Sequence, residues 1–366
     1  MSLILLTFIM PVQVSSSLLT SSASLASSGS IVYSFEEPVS LINPENTSSY
    51  DSGSVLEIGY ALPYTGWGAD LALHYNDDMS NWESSGVLPK LEYWADRGMN
   101  VSRIEFQFDD YNIRGSSTTY TKAKFDYLLE LFYPRGITVI ADLHNNGGGS
   151  RPESEYVLMQ GFIDNWLQMA RDYKGDNRIA GFNIFNEAGD LTTMGISAMD
   201  QTQIFSDLTR AIHEIDPDRV IFFPVWLTYY SYNPDRLYEW LNDISVTGII
   251  NEPNVVFDVL HPYYWENSWD MGQTPEQRAE YYGNILEVCV DRLGSNRVWV
   301  GETFAHYPET DFGPATEELQ KRYVIAFVNE CVRLGVGFDF LACTSKYYKF
   351  SMHEDILFAS DYPVTS

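Results

Sequence analysis

The stretch IAGFNIFNEAGD, residues 179–190, reads as a buried β-strand, lined by Ile and Phe, that ends on Asn186 and Glu187. Carboxylates are seldom left beside a core without a partner or a task. The residues closing this strand are therefore the first place to look for chemistry.

Seven companions surround it. Short β-rich runs occur at 55–62 (VLEIGYAL), 101–108 (VSRIEFQF), 138–144 (TVIADLH), 220–226 (VIFFPVW), 255–263 (VVFDVLHPY), 298–304 (VWVGETF) and 336–343 (VGFDFLAC). Between them lie segments such as AKFDYLLELFYPRG and QTQIFSDLTRAIHEID, whose apolar residues recur at intervals of three and four. Eight βα units in one chain predict an α/β fold, a (β/α)8 TIM barrel with long aromatic-rich βα loops. The competing doubly wound sheet lacks its Gly-rich phosphate loop after the first strand.

The 366 residues suit one barrel, and 45% of them are apolar, enough for a large core. With 22 Lys and Arg against 50 Asp and Glu, the formal net charge is −28. That field repels nucleic acid and anionic membrane surfaces, whereas a neutral substrate meets no such barrier. Cys289, Cys331 and Cys343 form neither a disulfide framework nor a zinc signature. His74, His213, His306 and His353 show no ligand spacing, so no metal and no cofactor is expected.

Residues 3–14 are an apolar run too short to span a bilayer, followed by a Ser-rich stretch. The expectation is a signal peptide over 1–26, a linker or barrel-floor segment over 27–54, and a catalytic barrel over 55–366. The product would be secreted or extracellular, or surface-anchored, with no stable membrane insertion after signal removal. Its oligomeric state is not legible.

Barrel chemistry sits at the C-terminal ends of the strands. There the second strand carries Arg103, the third ends at His144 and the fourth at Asn186-Glu187. The sixth ends on His261 and Tyr263, and the seventh carries Glu302. Strands four and seven are expected to face one another, bringing two carboxylates over the mouth. Two opposed carboxylates suit glycoside cleavage: one protonates the leaving oxygen while the other attacks the anomeric carbon or activates water. A gap of about 5 Å gives retention, and one of roughly 6.5–9.5 Å gives inversion. Arg103 would hold Glu302 ionised, Tyr263 would donate to it, and Asn186 would bind a sugar hydroxyl. The plainer reading of Arg103 is a counter-charge for a buried acid such as Glu105, and that of His144 and His261 is a satisfied core residue.

These pieces resemble glycoside hydrolase family five, the cellulase family, within the clan of retaining (β/α)8 glycosidases. The segments that carry the resemblance are MNVSRIEF, GITVIADLHNNGG, IAGFNIFNEA, VVFDVLHPYYW and VWVGETF, in that order from about residue 55 onward. The resemblance implies that Glu187 is the general acid/base and Glu302 the nucleophile. It also implies that Arg103 and Tyr263 orient Glu302, that His144 and Asn186 contact the sugar, and that His261 sits close to Glu187. One departure stands out: Leu341 occupies the position where the family carries a Trp, with Tyr347 and Tyr348 nearby.

Aromatic residues crowd the loops after the strands, including Trp67, Trp226 and Trp265. Flat rings stack on the C–H faces of sugars, so these three are candidate subsites for a β-linked polysaccharide or oligosaccharide. The leading expectation is an endo-acting, retaining β-1,4-glucanase. A β-mannanase, an exo-acting β-glycosidase on the same fold and a non-catalytic carbohydrate-binding barrel remain as alternatives. A metal-dependent hydrolase would need clustered ligands that the sequence lacks.

Overall fold

Eight strands run parallel, and each is hydrogen-bonded to two neighbours. They are β1 (Trp67–Ala72), β2 (Met99–Phe106), β3 (Thr138–Leu143), β4 (Ile179–Asn183), β5 (Ile221–Pro224), β6 (Val255–Leu260), β7 (Val298–Ala305) and β8 (Gly337–Phe340). Consecutive strands pair from β1 to β8, and Trp67 of β1 pairs back with Phe338 of β8, so the sheet closes. A two-residue strand, Tyr263–Tyr264, adds to the upper part of β7. The computed structural model describes residues 67–72, 95, 99–108, 120–144, 160–186, 188, 196–224, 234–264, 273–305 and 317–340. The chain divides into two units, Met1–Gly53 and Ser54–Ser366, and every described residue belongs to the second.

Helices α1 (Lys122–Phe132), α2 (Gln160–Asp172), α3 (Ala198–Ile215), α4 (Pro234–Val246), α5 (Pro275–Leu293) and α6 (Glu317–Leu334) lie between the strands. Their ends are written locally. Ser197 and Asp200 form a capping box on α3, and Thr274 and Gln277 form another on α5, where Pro275 opens the helix. The run FYPRG ends α1: a 3-10 turn over Tyr133–Arg135 contains Pro134, and Gly136 follows at φ 75°.

The core has two parts. A large outer layer packs strands against helices, with Trp166, Phe182, Phe205, Trp240 and Phe257 among its rings. A smaller plug inside the barrel is made by Val101, Ile140, Ala180, Val220, Phe222, Val256 and Trp299. Above that plug the inward positions turn polar. On β2 they run Val101, Arg103, Glu105, and on β3 they run Ile140, Asp142, with all five side chains buried. Such a polar layer is what the mouth of a barrel needs and what its floor does not.

Three expectations are corrected. The place between β2 and β8 is taken by WGADLA at 67–72, not by 55–62, which lies outside the described residues. Gly, Ala and Asp make 67–72 a poor strand by propensity, and closure of the sheet decides against the more β-rich run. Consequently Trp67 does not follow the first strand; its backbone begins it, paired with Met99 and Phe338 at the end opposite the C-terminal ends. Finally, β4 and β7 do not face one another directly, because only β5 and β6 separate them along the closed sheet.

Candidate active site

Arg103 points from β2 into the barrel and is fully buried. Its Nη1 donates to Asn186 Oδ1 at 2.9 Å and lies 3.8 Å from Asp142 Oδ2. Asn186 follows β4. The regular ladder of β4 stops at Asn183, but the Asn186 N–H still donates to Leu143 O at 2.9 Å, so this segment stays fastened to β3. With Asn186 Oδ1 engaged by Arg103, the buried Asn186 Nδ2 has no partner among the described residues. A buried amide donor of this kind suits a ligand hydroxyl.

His144 closes β3. Its Nδ1 lies 2.9 Å from Asp142 Oδ2 and its Nε2 lies 3.7 Å from Glu105 Oε2. Asp142 therefore stands between His144 and Arg103. Burial pushes its carboxyl up to about 7, against the pull of Arg103; Asp258 adds to the rise and His261 opposes it.

A second group gathers on the other side of the barrel. Asp258, on β6, is buried. Its Oδ1 accepts from Gly301 N–H at 2.8 Å, and its Oδ2 accepts from Asn183 Nδ2 at 3.0 Å. His261 Nε2 lies 3.2 Å from the same Oδ2. Facing a carboxylate, which only accepts, Nε2 is the donor. Just beyond, Thr303 Oγ1 donates to Pro262 O at 2.8 Å, and Tyr263 pairs with Phe304 along the backbone. The His261–Tyr264 turn is thus tied alongside the strand that carries Glu302.

The structure accordingly brings Arg103, His144 and Asn186 into one cluster around Asp142, and His261 into a second around Asp258. The Tyr263 backbone pairs with Phe304, two residues beyond Glu302 on the same strand. Glu187, Trp226, Trp265, Leu341, Tyr347 and Tyr348 lie outside the described residues. Asn183, Asp258 and Gly301 were not among the expected site residues. Their signals were present: a charge inside VVFDVL, an amide inside IAGFN and a glycine inside VWVGETF. Among the described residues no group of three His, Cys, Asp or Glu is arranged to hold a metal ion, and no helix is long and apolar enough to cross a membrane.

Comparison with known proteins agrees with this architecture. Endoglucanase B of Acetivibrio thermocellus is 28% identical over a match that covers 38% of this chain and 31% of that protein, so the match spans about a third of the relative's length. Cellulose synthase subunit Z from Clostridioides difficile superposes with a TM-score of 0.56 at 17% identity, over 80% of this chain and 98% of the other. XacCel5A, solved in complex with cellopentaose, superposes at 0.52 and 17% identity, over 81% and 92% of the two chains. These structural likenesses speak for the barrel. The sequence match to the family model "Cellulase (glycosyl hydrolase family 5)" runs over residues 80–304, more than half of the 366. On that extent of sequence, from before β2 to the end of β7, the chain belongs to the cellulase family, glycosyl hydrolase family 5.

Proposed function

We propose that this protein is a retaining endo-glycosidase that cleaves β-1,4-linked glucan, with Glu302 as nucleophile and Glu187 as general acid/base. The observation that carries the reading is the hydrogen bond from Arg103 to Asn186. It joins β2 to the segment just before Glu187 and leaves an amide donor at the mouth of a family 5 barrel. The cellopentaose bound to XacCel5A supports a β-linked glucose chain as the substrate.

In the first step Glu302 attacks the anomeric carbon while Glu187 gives its proton to the departing glycosidic oxygen. In the second, Glu187 takes a proton from water, which displaces Glu302 and restores both groups. Asn186 holds a hydroxyl of the sugar under attack, and Arg103 orients Asn186. His144, fixed by Asp142, contacts the same sugar. Trp226 and Trp265 stack on sugars farther along the chain.

A 2-deoxy-2-fluoro cellobioside with an activated leaving group tests the nucleophile. It should block the enzyme stoichiometrically, and mass mapping of the digest should place the sugar on Glu302. Glu302→Ala should abolish turnover with folding intact; activity above about a tenth of wild type would remove Glu302 from the mechanism. Glu187→Ala should suffer far more on polymer than on activated aryl glycosides, because only the former need a proton. Equal losses on both would contradict the acid role. Running the same assays on glucan and mannan separates cellulase from mannanase.

A further inference from the structure

The strand that carries Glu302 has a ladder broken on both sides. Toward β6, Asp258 pairs with Trp299 and Leu260 with Val300, so Val259 has no counterpart. Toward β8, Val300 pairs with Phe338 and Thr303 with Phe340, so Gly301 and Glu302 together stand against Asp339. A bulge of this kind interrupts the ladder and re-aims the side chain it carries. At this point a side chain takes over as acceptor: the Gly301 N–H donates to Asp258 Oδ1 at 2.8 Å. Residue 301 is glycine for the same reason, since a Cβ there would fall on the Asp258 carboxyl.

The carboxylate that holds Gly301 also reaches the other two segments of the site. Asn183, which donates to Oδ2 at 3.0 Å, ends β4 shortly before Asn186 and Glu187. His261, with Nε2 at 3.2 and 3.3 Å from the two oxygens, opens the turn that contains Tyr263. One buried carboxylate therefore fastens β4, the turn after β6 and the bulge of β7. Stability alone does not call for such a hub, because well-packed apolar residues of similar volume often serve a core as well as buried charge does.

We propose that Asp258 is a positioning residue for Glu302: by holding the Gly301 N–H it sets the bulge, and the bulge sets how the neighbouring carboxylate is presented to the anomeric carbon. The proposal rests on the reading of Glu302 as nucleophile. It requires that loosening Asp258 slow the first chemical step without removing any group that touches sugar. A misplacement of about 1 Å costs on the order of a hundredfold in rate.

The test is the rate constant for trapping by the fluorinated cellobioside, measured per labelled site in wild type, Asp258→Asn and Asp258→Ala. A protein that merely folds less well gives fewer labelled sites, not slower labelling of each. Asn keeps an acceptor for Gly301 but has one oxygen in place of two, so His261 or Asn183 loses its partner. Trapping on Glu302 should stay within about threefold of wild type in Asp258→Asn, where Gly301 keeps its acceptor, and slow more than about thirtyfold in Asp258→Ala. Trapping per labelled site within about threefold of wild type in Asp258→Ala, or in Asp258→Leu where the Ala variant does not fold, overturns the proposal and leaves the nucleophile reading standing, and so does an Asp258→Asn protein as slow as either. Sugar found on another carboxylate of the wild type overturns both.

Discussion

Arg219 and Arg103 are both buried, yet they are held in opposite ways. Arg219 precedes β5 at the foot of the barrel. Its Nη1 donates to Ile179 O and its Nη2 to Tyr173 O, each at 2.7 Å, and its Nε donates to Asp216 Oδ2 at 3.1 Å. The guanidinium also lies over the Phe182 ring, 4.9 Å from its centroid. Arg297 repeats the pattern before β7, donating to Val255 O, Ile250 O and Glu252 O. Arg103, higher in the barrel, meets the side chains of Asn186 and Asp142 instead. A backbone carbonyl does not change in a reaction, so a guanidinium fork spent on carbonyls is a staple between connections. A fork spent on movable side chains sets their orientation. Burial is the same in both places, and the kind of partner tells them apart.

The floor should therefore answer to mutation in stability and the mouth in rate. Arg219→Met strands the buried Asp216 carboxylate and several carbonyls, and should cost about 3–5 kcal/mol in urea unfolding. Turnover per folded molecule should not change. A slow but stable Arg219→Met protein would break the contrast outright.

Arg103→Lys is the matching change at the mouth. It keeps the charge but puts an ammonium on a shorter stem where the guanidinium Nη1 stood, so the donor no longer meets Asn186 in the same place. The expected loss is about a hundredfold in kcat/KM on cello-oligosaccharides, with a smaller loss of stability than Arg219→Met shows. If unfolding suffers more than catalysis, Arg103 is a second staple.

The same division explains what could be read from the sequence. Strands β2, β3, β6 and β7 announce themselves because their outward positions are mostly apolar and their inward ones turn polar only above the plug. WGADLA gives no such sign: it is a strand because β2 and β8 leave a place for it, which is information from elsewhere in the chain. At the mouth, Arg103, His144 and His261 were visible as polar interruptions of apolar runs. Asp258 interrupts its run in the same manner, but its use depends on a bulge, and a bulge is a relation between strands that neither strand records alone. Gly301 came nearest to recording it, since a glycine within a strand marks a close approach without naming what approaches.

A dependence on pH sharpens the contrast further. Asp142 is fully buried between Arg103 and His144, and its Oδ1 has no hydrogen-bond partner among the described residues. Burial lifts its carboxyl from the ordinary 3.8 to about 7, with Arg103 opposing and Asp258 assisting. Between about pH 4 and 7 the folded protein then keeps a proton that the unfolded chain has released. The contribution to stability is fully present at low pH and is lost as pH rises through about 7. Asparagine has no such proton to lose. The difference in unfolding free energy between Asp142→Asn and wild type should therefore move in favour of the variant from pH 5 to pH 8, by at most about 1.4 kcal/mol per pH unit for one proton. Urea midpoints of both proteins at the two pH values measure it. A difference that does not move with pH would mean that Asp142 stays charged throughout, as firmly matched by Arg103 as Arg219 is by its carbonyls, and the two ends of the barrel would then hold their arginines on equal terms.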